Sequence, residues 1–411
     1  GVLRQVDPIL SRANLASRNP VGIPTAEWRY RLENALPMLN EPGEWCVDSL
    51  RGRVYLWPPA SAGSGWKASA PRLATLVRLA GDAAGRPVSH VRWIGVVFRG
   101  TDRTPENLWP EGWILPTSGP ADAALVLSGV ESCSVEGCRF EDTGGWGLSL
   151  EGRAVACRVV SNAFVRTGCG GLRLVSFGAP ASRDHGRHTV ERNVFVGLGA
   201  AGYWQSPGVL VYGSLENRIA LNRFERLPWA AVALMGPPLG ALNVVTAETT
   251  DAYGVRRNRW GIRWSQLPKG SQERRQEGKG TFTAEDPSAW GGTSRNVVER
   301  NWIVEAMGRL DTGGAILGWS CGPGNAIRGN AIQSLVGSLG NHPIWLDRGA
   351  RGTAVEANRV WAPGTLKDDG TNNFWRDNPI SSGRFSAFEA AVSGIRAEAE
   401  RLGGWPSVNG G

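Results

Sequence analysis

Three acidic residues stand beside short apolar runs, where a carboxyl could meet a substrate. Asp311 lies in Arg309-Leu310-Asp311-Thr312-Gly313-Gly314, a bend leading into the strand-like Ala315-Ile316-Leu317. Asp347 closes the equivalent run Ile344-Trp345-Leu346, and Glu305 lies in the stretch leading to Asp311, where it can share that site. A pair of carboxyls, one protonated and one ionised, is the usual equipment for breaking a glycosidic bond. The acid protonates the leaving oxygen while the base or nucleophile serves the anomeric carbon. Asp142, Glu151 and Glu225 compete for such a role but read as solvated, Glu151 at the same register as Asp347 several repeats earlier. His342, five residues before Asp347, is a candidate proton donor or sugar contact. His185 and His188, three apart in a polar loop with no acid pattern near them, read as surface histidines rather than metal ligands.

Composition points the same way. The chain has 411 residues, of which 19 are Trp. An indole offers a broad apolar face with one polar N–H at its edge, which suits the apolar face of a sugar ring. Trp204, Trp229, Trp319 and Trp345 are the candidates for stacking, the last two beside the acids; core packing accounts for others. The formal charge is +8, almost all of it from Arg. That balance fits either a compositional bias or an acidic glycan, and Arg348, directly after Asp347, could hold a carboxylate-bearing sugar. No basic run is interleaved with aromatics, so no nucleic-acid partner is expected. No apolar run is long enough for a membrane helix. The six Cys form no C-x-x-C pair or zinc spacing, and no metal or other cofactor is expected.

These residues sit on a repeat. Segments ending at Phe140, Phe164, Phe195, Phe224, Ile303, Ile332 and Val360 align without gaps, and a weaker one ends at Phe98. Each carries Val or Ile five residues before its last residue: Val135, Val159, Val190, Ile219, Val298, Ile327, Val355. Alternate residues of a strand share a face, so two apolar residues five apart need a corner between them to point the same way. The corner holds Cys138, then Asn162, Asn193, Asn222, Asn301, Asn330 and Asn358. Asn tolerates the left-handed conformation, and stacked Asn side chains can bond from coil to coil. The pattern predicts an all-β fold, a right-handed parallel β-helix, with an N-terminal β-hairpin element and a short C-terminal helix. Residues 1–80 form the leading region, 81–380 the solenoid, with a long insertion at about 237–295 that has room for one irregular coil, and 381–411 the helix and tail. Solenoid ends need covering, and the termini are candidates for that task. Cys133 and Cys157 stack one coil apart, within disulfide reach, though two packed thiols suit the spacing better.

Two stretches resemble a known family. Pro42-Gly43-Glu44-Trp45-Cys46-Val47-Asp48 followed by Val54-Tyr55-Leu56-Trp57-Pro58 resembles the hairpin that precedes the β-helix in glycoside hydrolase family 141 and its relatives in the pectate-lyase-like superfamily. Leu310-Asp311-Thr312-Gly313-Gly314-Ala315-Ile316 and Ile344-Trp345-Leu346-Asp347 resemble two later segments of the same proteins. Cys46 stands where Tyr is usual, and Arg348 where a second acid is frequent. The resemblance implies a hydrolase of a plant or bacterial polysaccharide or oligosaccharide, with Asp311 and Asp347 as its catalytic pair. A secreted or periplasmic monomer is the matching expectation. Two alternatives stay open: a lyase or epimerase acting on uronates, often Ca²⁺-dependent with an Arg or Lys base, and a β-helix that binds glycans without cleaving them.

Overall fold

The computed structural model describes residues 36–48, 50–63, 65–82, 85–103, 122–176, 184–200, 206–237, 249–250, 256–257, 293–309, 313–333, 341–362, 364–380 and 385–408. The chain divides into two compact units, residues 1–71 with 108–114, and residues 72–107 with 115–411. In the first, Trp45–Asp48 and Arg53–Leu56 pair antiparallel, with Trp45 opposite Leu56, as the two apolar runs around a polar turn suggest.

The second unit is a parallel β-helix. Among the described residues it holds three parallel sheets of 11, 9 and 8 strands. The second and third sheets are built from three-residue strands such as Arg158–Val160 and Ala163–Val165, joined at the predicted corner. Val77–Ala80, expected in the leading region, already pairs with Ala123–Glu131 as a rung of the first sheet. The insertion adds no rung: Val232–Met235 pairs directly with Gly313–Trp319, and Arg218–Ala220 with Val297–Glu299.

The Asn column does a different job from the one its conformational tolerance suggests. The left-handed residue is the one before each Asn: Ser161, Arg192, Leu221, Arg300, Gly329 and Ala357, all with φ between 50° and 62°. That kink turns the chain, and the following Asn satisfies the backbone groups the turn leaves over. Asn222 Oδ1 accepts from Asn193 N (2.9 Å) and Asn193 Nδ2 (3.0 Å), while its own Nδ2 donates to Val190 O (3.0 Å) and Asn301 Oδ1 (3.0 Å). The ladder runs on to Asn378, one coil beyond the pattern seen in the sequence. A second ladder, not foreseen, lines the preceding corner through Cys157, His188, Asn217, Asn296 and Asn325, with Thr353 and Asn373 completing it.

Inside, Phe98, Phe140, Phe164, Phe195 and Phe224 stack at 4.7–4.8 Å, within 7° of parallel. Their rings lie where a side chain on the first sheet's entry residue would go: a Cβ on Gly147, Gly171 or Gly208 would fall 2.5–2.6 Å from Phe164, Phe195 or Phe224. Where the stacked residue becomes Ile303 and Ile332, the entry residue becomes Ala231 and Ala315, so volume is conserved as dense packing requires. Cys133 and Cys157 are free buried thiols.

Many arginines are spent on the outside of the stack. Glu299, for example, is held by Arg218 and Arg328, each at 2.8 Å. The helix Phe385–Arg401 does not close the end of the solenoid. It lies along the flank, where Phe388, Val392 and Ile395 pack on Ala220, Leu221 and Ala331 beside Trp302 and Trp361. Arg300 binds Glu398 at 2.7 Å, and beyond the helix Trp405 Nε1 donates to Leu221 O at 2.6 Å. No described helix is long and apolar enough to cross a membrane.

Candidate active site

Strand alternation decides which side chains of the first sheet face out. In Trp146–Val155, Leu148 and Leu150 point into the core, and Ser149 and Glu151 point away. Parallel register carries this through the stack, so Trp345 of Asn341–Leu346 is an outward residue beside Lys367 of the next strand. Leu346 pairs with Asp368, and Asp369 N donates to Leu346 O at 2.7 Å. One residue further along the same register, Asp347 and Asp369 are therefore stacked on neighbouring rungs. Neighbouring strands lie about 4.8 Å apart, so two carboxyls meet here.

The groups around them are specific. Trp345 Nε1 donates to Asp369 Oδ2 at 2.9 Å, and Lys367 Nζ binds the same oxygen at 3.1 Å. The Lys367 ammonium also lies 4.1 Å from the centre of the Trp345 ring, a cation–π contact that fixes it over the indole. His342 meets the edge of Trp345, ring centres 5.5 Å apart, and its Nδ1 is 2.7 Å from Thr365 O. A neutral His342 thus carries its proton on Nδ1 and leaves Nε2 to act. Asp347 is half-buried, and its Oδ1 accepts from Arg348 N at 2.6 Å.

These surroundings push the two acids apart. Burial raises the Asp347 carboxyl above its ordinary value, and the charge on Asp369 adds to the rise against the opposing pull of the Arg348 N–H, Arg348 and Lys367. For Asp369 desolvation also acts upward, but the bonds from Lys367 and Trp345 outweigh it, with the charges of Lys367 and His342, so this carboxyl lies below its ordinary value. One acid is readier to hold a proton and its neighbour readier to be ionised, the division of labour that acid–base cleavage needs.

The other expected residues are distributed differently. Asp311 and Trp204 lie outside the described residues. Gly313, two residues after Asp311, pairs with Asn341, at the opposite end of that strand from Asp347. Glu305 is exposed at φ +53°, one of a column of left-handed turn residues with Asp142, Arg166 and Arg226. It precedes the first sheet, whereas Asp347 follows it. Trp229 is buried, and a Cβ on Gly313 would fall 2.8 Å from its Nε1, so it packs beneath the entry to that strand. Trp319 ends Gly313–Trp319 and, by register, stacks beside Asp347. Arg348 is exposed in the turn after Asp347. Glu151 does share the register of Asp347 but is fully buried, not solvated, between Arg173 and Arg78, both at 3.4 Å. His185 and His188 are buried rather than at the surface. His185 bonds Leu150 O (3.0 Å) and Ser214 Oγ (2.8 Å), and His188 takes an Asn position in the second ladder. Among the described residues no group of three His, Cys, Asp or Glu is placed to hold a metal.

Asp369 and Lys367 were missed in the sequence. The signal was Asn378, which continues the corner column at a spacing of 20 after Asn358 and makes residues 366–370 another coil.

No protein-family model and no curated protein matches the chain. Among solved structures it is similar to a glycoside hydrolase, at 18% identity and a TM-score of 0.60 over 87% of this chain. That alignment covers 59% of the other chain, so this chain spans about three fifths of its length. A fainter likeness, 12% identity and a TM-score of 0.37 over 72% of this chain and 50% of the other, is to the catalytic unit of a thermostable family 87 α-1,3-glucanase from Streptomyces thermodiastaticus. The first likeness bears on the fold, and it agrees with the parallel β-helix.

Proposed function

We propose that this protein is a glycoside hydrolase whose catalytic pair is Asp347 and Asp369. The observation that carries the reading is the juxtaposition of these two carboxyls on neighbouring rungs, in surroundings that favour a proton on the first and a charge on the second. In this reading Asp347 gives its proton to the bridging oxygen as the bond to the anomeric carbon breaks, and Asp369 bonds to that carbon. Water then displaces Asp369 and returns a proton to Asp347. Neighbouring rungs about 4.8 Å apart bring the two carboxyls close enough to serve one glycosidic bond. Trp319, half-buried, offers an indole face to the sugar, Trp345 is buried under Lys367 and holds Asp369, and His342 and Arg348 stand at the rim. The resemblance to family 141 and the likeness to a solved glycoside hydrolase support the reading. Asp311 and Glu305 remain second choices, the first lying outside the described residues and the second exposed beyond the far end of the sheet.

The test is reducing-sugar release from a panel of neutral and uronic glycans by wild type, Asp347→Asn, Asp369→Asn and Asp311→Asn. Release lost in the first two variants and kept in the third supports the pair. Release that survives both, or a product with a new carbon–carbon double bond in place of added water, overturns it, the latter in favour of a lyase.

A further inference from the structure

The outward residues of the first sheet form two columns. One runs Leu210, Ala233, Leu317, Trp345, Lys367; the other runs Tyr212, Met235, Trp319 and, continuing the register, Asp347 and Asp369. The outward side of a sheet is free to face water, yet this one is shut over its middle coils. Leu210 and Tyr212 are 1% and 2% exposed, Ala233 and Met235 0% and 4%, and Leu317 5%. Past these closed coils the face opens again at the acids. Trp319 and Asp347 are half-buried, and the side chains of Lys367 and Asp369 are each 38% exposed. Among the described residues Lys367–Asp368 is the last strand on this sheet's path, and past Asp369 the described ladder ends.

Access to the acids is therefore one-sided. On the side of earlier coils a single rung, that of Trp319, separates Asp347 from the closed rung of Met235. One rung is about 4.8 Å, comparable with the length of one sugar residue. An enzyme that cuts within a chain must hold sugars on both sides of the broken bond, and this face has no room for a chain to continue toward Met235.

We infer that the site is exo-acting. It takes the end of a glycan chain, seats the terminal sugar against Trp319, and releases it as a monosaccharide while the rest of the chain leaves past Asp369. Trp319 is then the floor of the terminal subsite rather than one of a row of stacking platforms. The inference rests on the hydrolase reading above.

The experiment follows products over time from xylo-, gluco-, galacturono- and fucosylated oligosaccharides labelled at the reducing end. Wild type is run beside Asp347→Asn and Asp369→Asn. The expected result is a monosaccharide with products shortened one residue at a time from the earliest points, lost in both variants. Internal fragments at early times that are lost in both variants overturn the exo assignment and leave the hydrolase standing. No release from any substrate, or release that both variants retain, removes the hydrolase reading and the exo inference with it.

Discussion

Acidification should weaken this fold well before its ion pairs are touched, and two histidines set the amount. His185 and His188 are fully buried, with ring centres 4.9 Å apart. Burial, helped by the charge of Arg173, pushes the His185 pKa down to about 4, against the opposing pull of its bond to Leu150 O. Burial pushes His188 well below its ordinary value, and the charges of His185 and Arg187 act the same way. Both groups are depressed in the folded chain and ordinary, about 6.5, in the unfolded one. Below about pH 6.5 the unfolded chain thus binds more protons, and stability falls as pH falls. For His185, unfolded near 6.5 and folded near 4, the loss by about pH 5 is ~2 kcal/mol; His188 adds to it with the same sign. The depressed carboxylates Glu136, Asp142 and Glu299 lose their contributions only as pH drops through the carboxylate range, below this window. The decisive variant is His188→Asn. His188 Nδ1 accepts from Cys157 N at 3.1 Å, the bond that Asn217, Asn296, Asn325 and Asn373 make through Oδ1 in the same ladder, so Asn can fill the place without the titrating ring. Urea unfolding of both proteins at about pH 7.5 and about pH 5 measures the effect. The expected outcome is a smaller drop on acidification in the variant, on top of a constant loss at both pH values from the smaller side chain. A wild type equally stable at both pH values, or a variant with an unchanged drop, refutes the reasoning.

Two further outcomes are expected. Asn222→Ala leaves the buried Asn193 N without the partner it has at 2.9 Å and takes one bond from Val190 O, and with the space left by the amide it should cost ~2 kcal/mol or more in urea unfolding. A loss under about 1 kcal/mol would show that the ladder merely fills space. Lys367→Met removes the strongest bond holding the Asp369 carboxyl down, so the acid limb of the pH–rate profile should move to higher pH, with activity on that limb roughly tenfold lower; a limb that stays in place would separate Lys367 from the reaction.

The fold was legible because its inward positions repeat in kind. Phe140, Phe164, Phe195 and Phe224 stack ring on ring, and the Asn column after Val159, Val190, Ile219 and Val298 recurs at nearly every coil, so alignment alone exposes both. The second ladder stayed hidden because Cys157, His188, Asn217 and Thr353 are chemically unlike. A hydrogen-bond acceptor at a corner can come from several side chains, and no single letter marks it. The duty of the corner Asn was also misread. The left-handed φ belongs to Arg192, Leu221 and Arg300, which sequence preference would not nominate, while Asn193, Asn222 and Asn301 supply the bonds that make that conformation worth its strain. The catalytic candidates were half legible. Asp347 could be found from its strand, but its partner lies on the next coil, where Leu366 precedes a lysine and two acids and the apolar rhythm fades.

The outward column through Glu151, Tyr212, Trp319, Asp347 and Asp369 shows why position alone cannot name a catalytic acid. Glu151 and Asp347 occupy the same register on the same face of the same sheet. Glu151 stands among cations: Arg173 one rung on and Arg78 both reach it at 3.4 Å, and Ser149 Oγ donates to it at 2.9 Å. A buried carboxylate so placed is fixed by its partners, and it serves the stack. Asp347 meets a second carboxylate on the next rung, and the nearest ammonium, that of Lys367, is bonded to that neighbour instead. Two like charges on adjacent rungs cannot both be accommodated cheaply, so the proton falls to the more buried of the pair. In a solenoid the side chain one coil away is as close as any neighbour in sequence. What an acid does here is therefore decided by the residue about one coil further along the chain, an arginine for Glu151 and an aspartate for Asp347.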